Sequence, residues 1–188
     1  MEHQSVCPWN ADTLRTERQV KDAWLRSSPH SPIPEEQKVS FAGLSYYPPD
    51  PAFVFRARLE IFPDPDTVIL LTTYQNDVRR MLRFGKVHFE YRGQPLELTV
   101  YRYTGKTAER FPYLLFIPFK DATNGRETYE GGRYLDLEYS PGQQWYCLDF
   151  NRAYNPYCVY NDRYSCPLVP EENVLNVAIR AGEKNWKH

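Results

Sequence analysis

The chain has 188 residues, 41% of them hydrophobic and 25% charged, with a net charge of −1. That is room for one domain with a real core, and an aromatic content of 15% is too high for a disordered chain. The balanced charge excludes the electrostatic footprint of nucleic-acid binding and a membrane-surface patch, and no apolar run nears the ~20 residues of a membrane span.

The N-terminal segment, with Glu2, Asp12, Glu17 and Asp22, lacks the basic and apolar regions of a signal peptide, so a cytoplasmic protein is expected. A helix is predicted over 12–26, with Asp12 or Thr13 as N-cap and Leu14, Val20, Trp24 and Leu25 on one face. Ser27-Ser28-Pro29 ends it, and Ser31-Pro32-Ile33-Pro34 leads into a short second helix. Tyr46-Tyr47-Pro48-Pro49-Asp50-Pro51 reads as a stiff, extended strap. Residues 1–51 thus form an arm, anchored on the body 52–188 by Trp24, Leu25, Phe41, Leu44 and Tyr46.

Beyond residue 51 the hydrophobic period becomes two. Strands are predicted at 53–61, 67–73, 78–84, 87–91, 96–103, 114–119, 134–139, 145–150 and 174–179. Pro63-Asp64-Pro65-Asp66 separates the first two, and Arg92-Gly93-Gln94-Pro95 marks a hairpin. With no helical pattern between strands, the fold class is mainly β: an antiparallel barrel or roll, with a sandwich as the other solution.

Two polar segments interrupt these strands, 119–134 and 149–167. Lys120, Asp121 and Arg133 would supply charge at a pocket between them, and Asn151, Asn155, Tyr157 and Asn161 would orient a ligand. The competing reading of Asp121 and Asn124-Gly125 is turn chemistry, and Glu130-Gly131-Gly132-Arg133 matches no phosphate-binding loop. Asp121 and Asp149 are the acid–base candidates; the plain alternative for Asp149 is an ion pair with Arg152 or Arg133.

Four irregularly spaced cysteines, Cys7, Cys147, Cys158 and Cys166, predict thiols rather than a disulfide framework. The spacing of Cys158 and Cys166 is wrong for a metal knuckle, so no metal is expected, and none of His3, His30, His88 and His188 is placed to activate a thiol.

Several stretches together resemble a family. They are Phe119-Lys120-Asp121-Ala122-Thr123-Asn124-Gly125, Gly132-Arg133-Tyr134-Leu135-Asp136, Asp149-Phe150-Asn151, Ala153-Tyr154-Asn155-Pro156-Tyr157-Cys158, Tyr164-Ser165-Cys166-Pro167 and Pro170-Glu171-Glu172-Asn173. With Ser31-Pro32-Ile33-Pro34 and the Tyr46–Pro51 strap, they are similar to the bacterial and archaeal family DUF1684 across nearly the whole chain. The resemblance implies no activity and no cofactor. The residues themselves lead to a small-molecule-binding β domain, with no nucleic-acid or membrane partner. An enzyme, a hydrolase or isomerase, is the second reading, and a structural or protein-interaction domain the third.

Overall fold

The computed structural model describes residues 7–186; His3 and His188 lie outside the described residues. Helix α1 spans Ala11–Ser27. Its cap is Asn10 rather than Asp12 or Thr13: the Asn10 side chain accepts the backbone N–H groups of both, each at 2.9 Å. Leu14 and Leu25 are buried, whereas Val20 is exposed and Trp24 stays partly exposed. The apolar stripe is narrower than the spacing suggested because polar ties do part of the docking. Arg18 donates to the carbonyls of Tyr47 and Asn151, and Lys21 pairs with the buried Glu183. The second helix, α2, is a single turn, Glu35–Lys38. Leu25, Ile33, Phe41 and Tyr160 form a small core beneath this arm, with Leu44 packed against it.

Six antiparallel strands follow in one sheet: β1 (Val54–Leu71), β2 (Val78–Tyr91), β3 (Gln94–Tyr103), β4 (Leu114–Phe119), β5 (Arg133–Glu138) and β6 (Trp145–Asp149). Their order is β5-β4-β3-β2-β1-β6. The two strands expected on either side of Pro63 and Pro65 are one long strand. Two prolines cannot donate to a ladder, so the pairing of β1 with β2 slips between Ile61 and Asp66 and then resumes. Gly85 lies opposite this slip, where an added Cβ would come within 2.2 Å of the Glu60 carbonyl. That close approach explains the glycine and merges the expected strands 78–84 and 87–91 into β2. The hairpin between β2 and β3 turns at Arg92 and Gly93, with φ of 52° and 79°, as a primed turn requires.

Two expectations fail here. A helical turn, α3 (Gly105–Arg110), follows β3 and was not foreseen. Residues 174–179 form no strand, which with the two mergers leaves six strands. Val174 makes one parallel bridge to Lys120, and only Leu175 and Val177 share backbone bonds with residues 120–122. By then β4 has already ended in a turn, so a lengthening ladder finds no straight partner.

The edges β5 and β6 do not pair with each other. Tyr154, just past β6, exchanges both backbone bonds with Tyr134 of β5, at 2.9 and 3.0 Å, and nearly closes the sheet into a barrel. The interior is filled by alternate residues such as Phe55, Leu59, Phe89, Leu98, Ile117, Leu135 and Phe150. A second apolar set, Leu70, Met81, Tyr101, Phe116 and Tyr134, lies on the sheet's outer face. β4 therefore buries both faces, and its continuous apolar run follows.

Strands β3 and β4 pair only at Tyr101–Phe116 and Arg102–Leu115. Where they part, Asn173 fills the gap. It accepts the Thr99 N–H at 2.8 Å and donates to the carbonyls of Thr99 and Pro118 at 2.9 and 2.7 Å. Asn173 is fully buried, so Asn173→Ala leaves three backbone groups without partners. A loss of about 2–3 kcal/mol is expected in urea denaturation; a loss below about 0.5 kcal/mol, the level of a neutral surface change, would show the bridge to be dispensable.

The thiol expectation is corrected at one pair. Cys7 and Cys147 form a disulfide, with a Cα–Cα distance of 5.5 Å across a sequence separation of 140. Cys147 lies on the exposed face of β6, beside the segment that leads into α1. Spacing cannot reveal a pair that only the folded arm brings together. Cys158 and Cys166 remain free thiols.

Candidate functional site

The segments 119–134 and 149–167 meet at the Tyr134–Tyr154 bridge. Most of their polar groups are engaged inside the protein. The side chains of Arg133 and Asp121 are fully buried and form an ion pair at 2.8 Å. Arg133 also donates to the carbonyls of Ile179, Ala181 and Glu183, and lies 5.3 Å over the Phe119 ring. Asp121 accepts the N–H groups of Thr123 and Ile179, while Asn124 accepts the N–H of Asp121, so turn chemistry holds this loop. Lys120 contributes its backbone, bonded to Asn173 and Leu175.

In the second segment, Asn151 is clasped by Asp50: its side chain accepts the Asp50 N–H and donates to the Asp50 carbonyl, at 2.9 and 2.8 Å. Asp149 accepts from the Asn151 backbone and side chain, each at 2.9 Å, and its other oxygen stands 4.0 Å from Arg152. Asn155 donates its side-chain amide to the Lys184 carbonyl, and its backbone N–H to Glu183. Asn161 joins Pro32 to Arg163. These residues fasten the arm and the C-terminal segment to the barrel.

Asn161 lines a polar surface cleft of about 740 Å³ next to α2, and a more apolar cleft lies beside these segments. This cleft of about 510 Å³ runs between α1, the outer face of the sheet and the chain from Tyr154 to Pro167. Trp24 and Leu25 form the helical wall, Met81, Tyr103, Phe116 and Tyr134 the sheet wall, and Pro156, Tyr157 and Tyr164 the roof. Of the residues expected at a ligand site, Tyr157 alone lines it; it packs edge-on against Tyr164.

Asp136 sits on this wall, opposite Phe116 in the β4–β5 pairing. Its Oδ1 accepts the Tyr154 hydroxyl at 3.0 Å. Asp136 reaches solvent at the rim, yet enough protein crowds it that burial pushes its carboxyl above the usual range, against the opposing pull of Tyr154 and Lys21. Burial likewise raises the phenols of Tyr103 and Tyr154, with Asp136 adding to both. At the far end Cys166 accepts the Cys158 N–H at 3.2 Å. The hydrogen bond from the Cys158 thiol holds Cys166 at about 7, and that same bond pushes Cys158 up.

Sequence reasoning missed Asp136, Tyr103 and Lys21. Asp136 falls within the expected strand 134–139 and is not among the expected site residues. The available signal was the aromatic run on the same side: Tyr101 and Tyr103 on β3, Phe116 on β4 and Tyr134 on β5. A sheet with rings on its outer face has a second buried surface, and an acid among those rings is not an ordinary solvated acid.

Among the described residues no group of His, Cys, Asp and Glu could hold a metal ion, and no helix is long and apolar enough to cross a membrane. The architecture is an antiparallel, nearly closed six-stranded barrel with an N-terminal helix clamped to its outside. Residues 39–184 match the family model described as a protein of unknown function, DUF1684, and the chain belongs to that family. It is also similar to an uncharacterized protein of Haloarcula marismortui solved by solution NMR, at 36% identity and a TM-score of 0.71, over 92% of each chain. No curated protein matches the chain.

Proposed function

We propose that the chain is a small-molecule-binding β domain whose site is the cleft between α1, the outer sheet face and the Tyr154–Pro167 segment. One observation carries this reading: a cleft of about 510 Å³ walled largely by aromatic and apolar side chains, with a carboxylate on its wall. Ligand sites combine those traits, at roughly 300–1,000 Å³ with a few placed polar groups. Arg133, Asp121, Asn151 and Asn155 support the site from behind by fixing the segments that frame it, and Tyr157 touches the ligand.

Asp136 faces the cleft from an exposed position on β5, so Asp136→Trp fills the space without entering the barrel interior. A thermal-shift screen of single-ring aromatic fragments is expected to raise the melting temperature of the natural chain and to leave that variant unmoved. Equal shifts in both, or none in either, would sink the reading.

The enzymatic alternative moves with the cleft. Asp121 has one oxygen on two backbone N–H groups and the other on Arg133, and Asp149 has one oxygen on two donors of Asn151 and the other 4.0 Å from Arg152, whereas burial raises the Asp136 carboxyl beside a phenol, as in general acids. Under this reading, a substrate turned over by the natural chain is not turned over by Asp136→Asn; unchanged turnover in that variant would exclude it.

A further inference from the structure

We propose that the cleft takes an organic ammonium: an amine, protonated or quaternary, carried on an aromatic or short aliphatic body. This rests on reading the cleft as a small-molecule site and names the class of ligand.

The charges on the cleft wall are unequally matched. Lys21 is paired with Glu183, and Arg79 holds Asp77 at 2.6 Å and the Ser165 carbonyl at 3.1 Å. Among the described residues Asp136 forms no ion pair, and Lys21 acts on it only through space. The Asp136 Oδ1 accepts one neutral hydroxyl, and its Oδ2 has no hydrogen-bond partner among the described residues. A carboxylate in aromatic surroundings attracts a cation more strongly than the same group in water.

The rings around it suit the same ligand. Phe116 and Tyr134 meet edge to face at 4.6 Å, and Tyr103 and Tyr154 extend the group at 5.8 Å from Phe116 and Tyr134. Ring faces attract ammonium groups within about 6 Å of the centroid. The fold already contains such a contact: the Lys21 ammonium lies 5.3 Å from the centre of the Tyr154 ring. An anion would meet Asp136 and find both wall cations already paired.

The test is calorimetry with four single-ring probes of similar size: phenethylammonium, benzyltrimethylammonium, 2-phenylethanol and phenylacetate. The two ammonium probes are expected to bind at least about tenfold more tightly than the alcohol, with phenylacetate weakest. Asp136→Asn keeps the size of the side chain and removes the charge. It is expected to remove most of the ammonium probes' advantage, leaving the share the rings supply, and to leave the alcohol unchanged. An alcohol or phenylacetate that binds as tightly as the ammoniums, or an Asp136→Asn variant that keeps their advantage, overturns the ammonium class and leaves the site standing. Failure of all four probes also overturns it; fragment shifts lost in Asp136→Trp would then still support the cleft, and their absence would remove both.

Discussion

Arg133→Met is expected to destabilise the fold by about 3–5 kcal/mol, the range for breaking a buried ion pair from one side. Arg133 is 0% exposed. Its guanidinium joins three carbonyls of the 179–183 segment to Asp121 and rests on the Phe119 ring. Methionine replaces the stem but none of the donors. It leaves the Asp121 carboxylate without its counter-ion and three carbonyls short of a partner. A loss of that size is a large share of the roughly 5–15 kcal/mol of a typical domain. The double variant Arg133→Met with Asp121→Leu is expected to recover part of the loss, because two apolar groups replace a pair rather than half of one. Urea denaturation of the three chains measures this. A single variant as stable as the natural chain would show that the pair does not hold the C-terminal segment.

Reducing the Cys7–Cys147 disulfide is the second large effect. The bond closes a loop with a sequence separation of 140, and chain-entropy arguments assign such a loop an upper value of about 5 kcal/mol. The contribution comes from restricting the unfolded chain. The bond also pins the segment ahead of α1 to the barrel, so its loss frees the start of the arm first. Thermal denaturation with and without a reductant is expected to show a clear drop in melting temperature for the natural chain. The Cys7→Ser, Cys147→Ser chain should melt at the reduced protein's temperature and ignore the reductant. A natural chain indifferent to reductant would contradict the bridge.

The parts of the fold set by local pattern were legible. Alternating apolar residues gave the strand class, Arg92-Gly93 gave the hairpin, and the prolines after Ser28 and before Glu35 bounded the helices. What escaped depended on tertiary partners. The segment 174–179 is apolar enough for a strand, yet the turn after β4 leaves it nothing straight to pair with. Pro63 and Pro65 looked like a chain reversal and are a slip within one strand, because Gly85 lets β2 follow.

The candidate site shows the same divide. The concentration of asparagines, tyrosines and charges in 119–134 and 149–167 located two segments that meet in space at Tyr134 and Tyr154. It did not say which way each group faces. Arg133 and Asn151 carry ample hydrogen-bonding capacity, and backbone groups of the arm and the C-terminal segment take it up. Asp136 is marked only by its place in an expected strand and in the Gly132–Asp136 family stretch, neither of which gives it a role, and its setting depends on α1, which lies far away in the chain.

On the proposed reading these segments frame a ligand cleft rather than bind through their own buried polar groups. Amide chemical-shift mapping during titration with phenethylammonium tests it most directly. The largest shifts are expected at Lys21, Trp24, Tyr103, Phe116, Asp136 and Tyr157, with Asp121, Arg133 and Asn151 little moved. Shifts centred on Asp121, Arg133 and Asn151, or scattered without a focus, would contradict it.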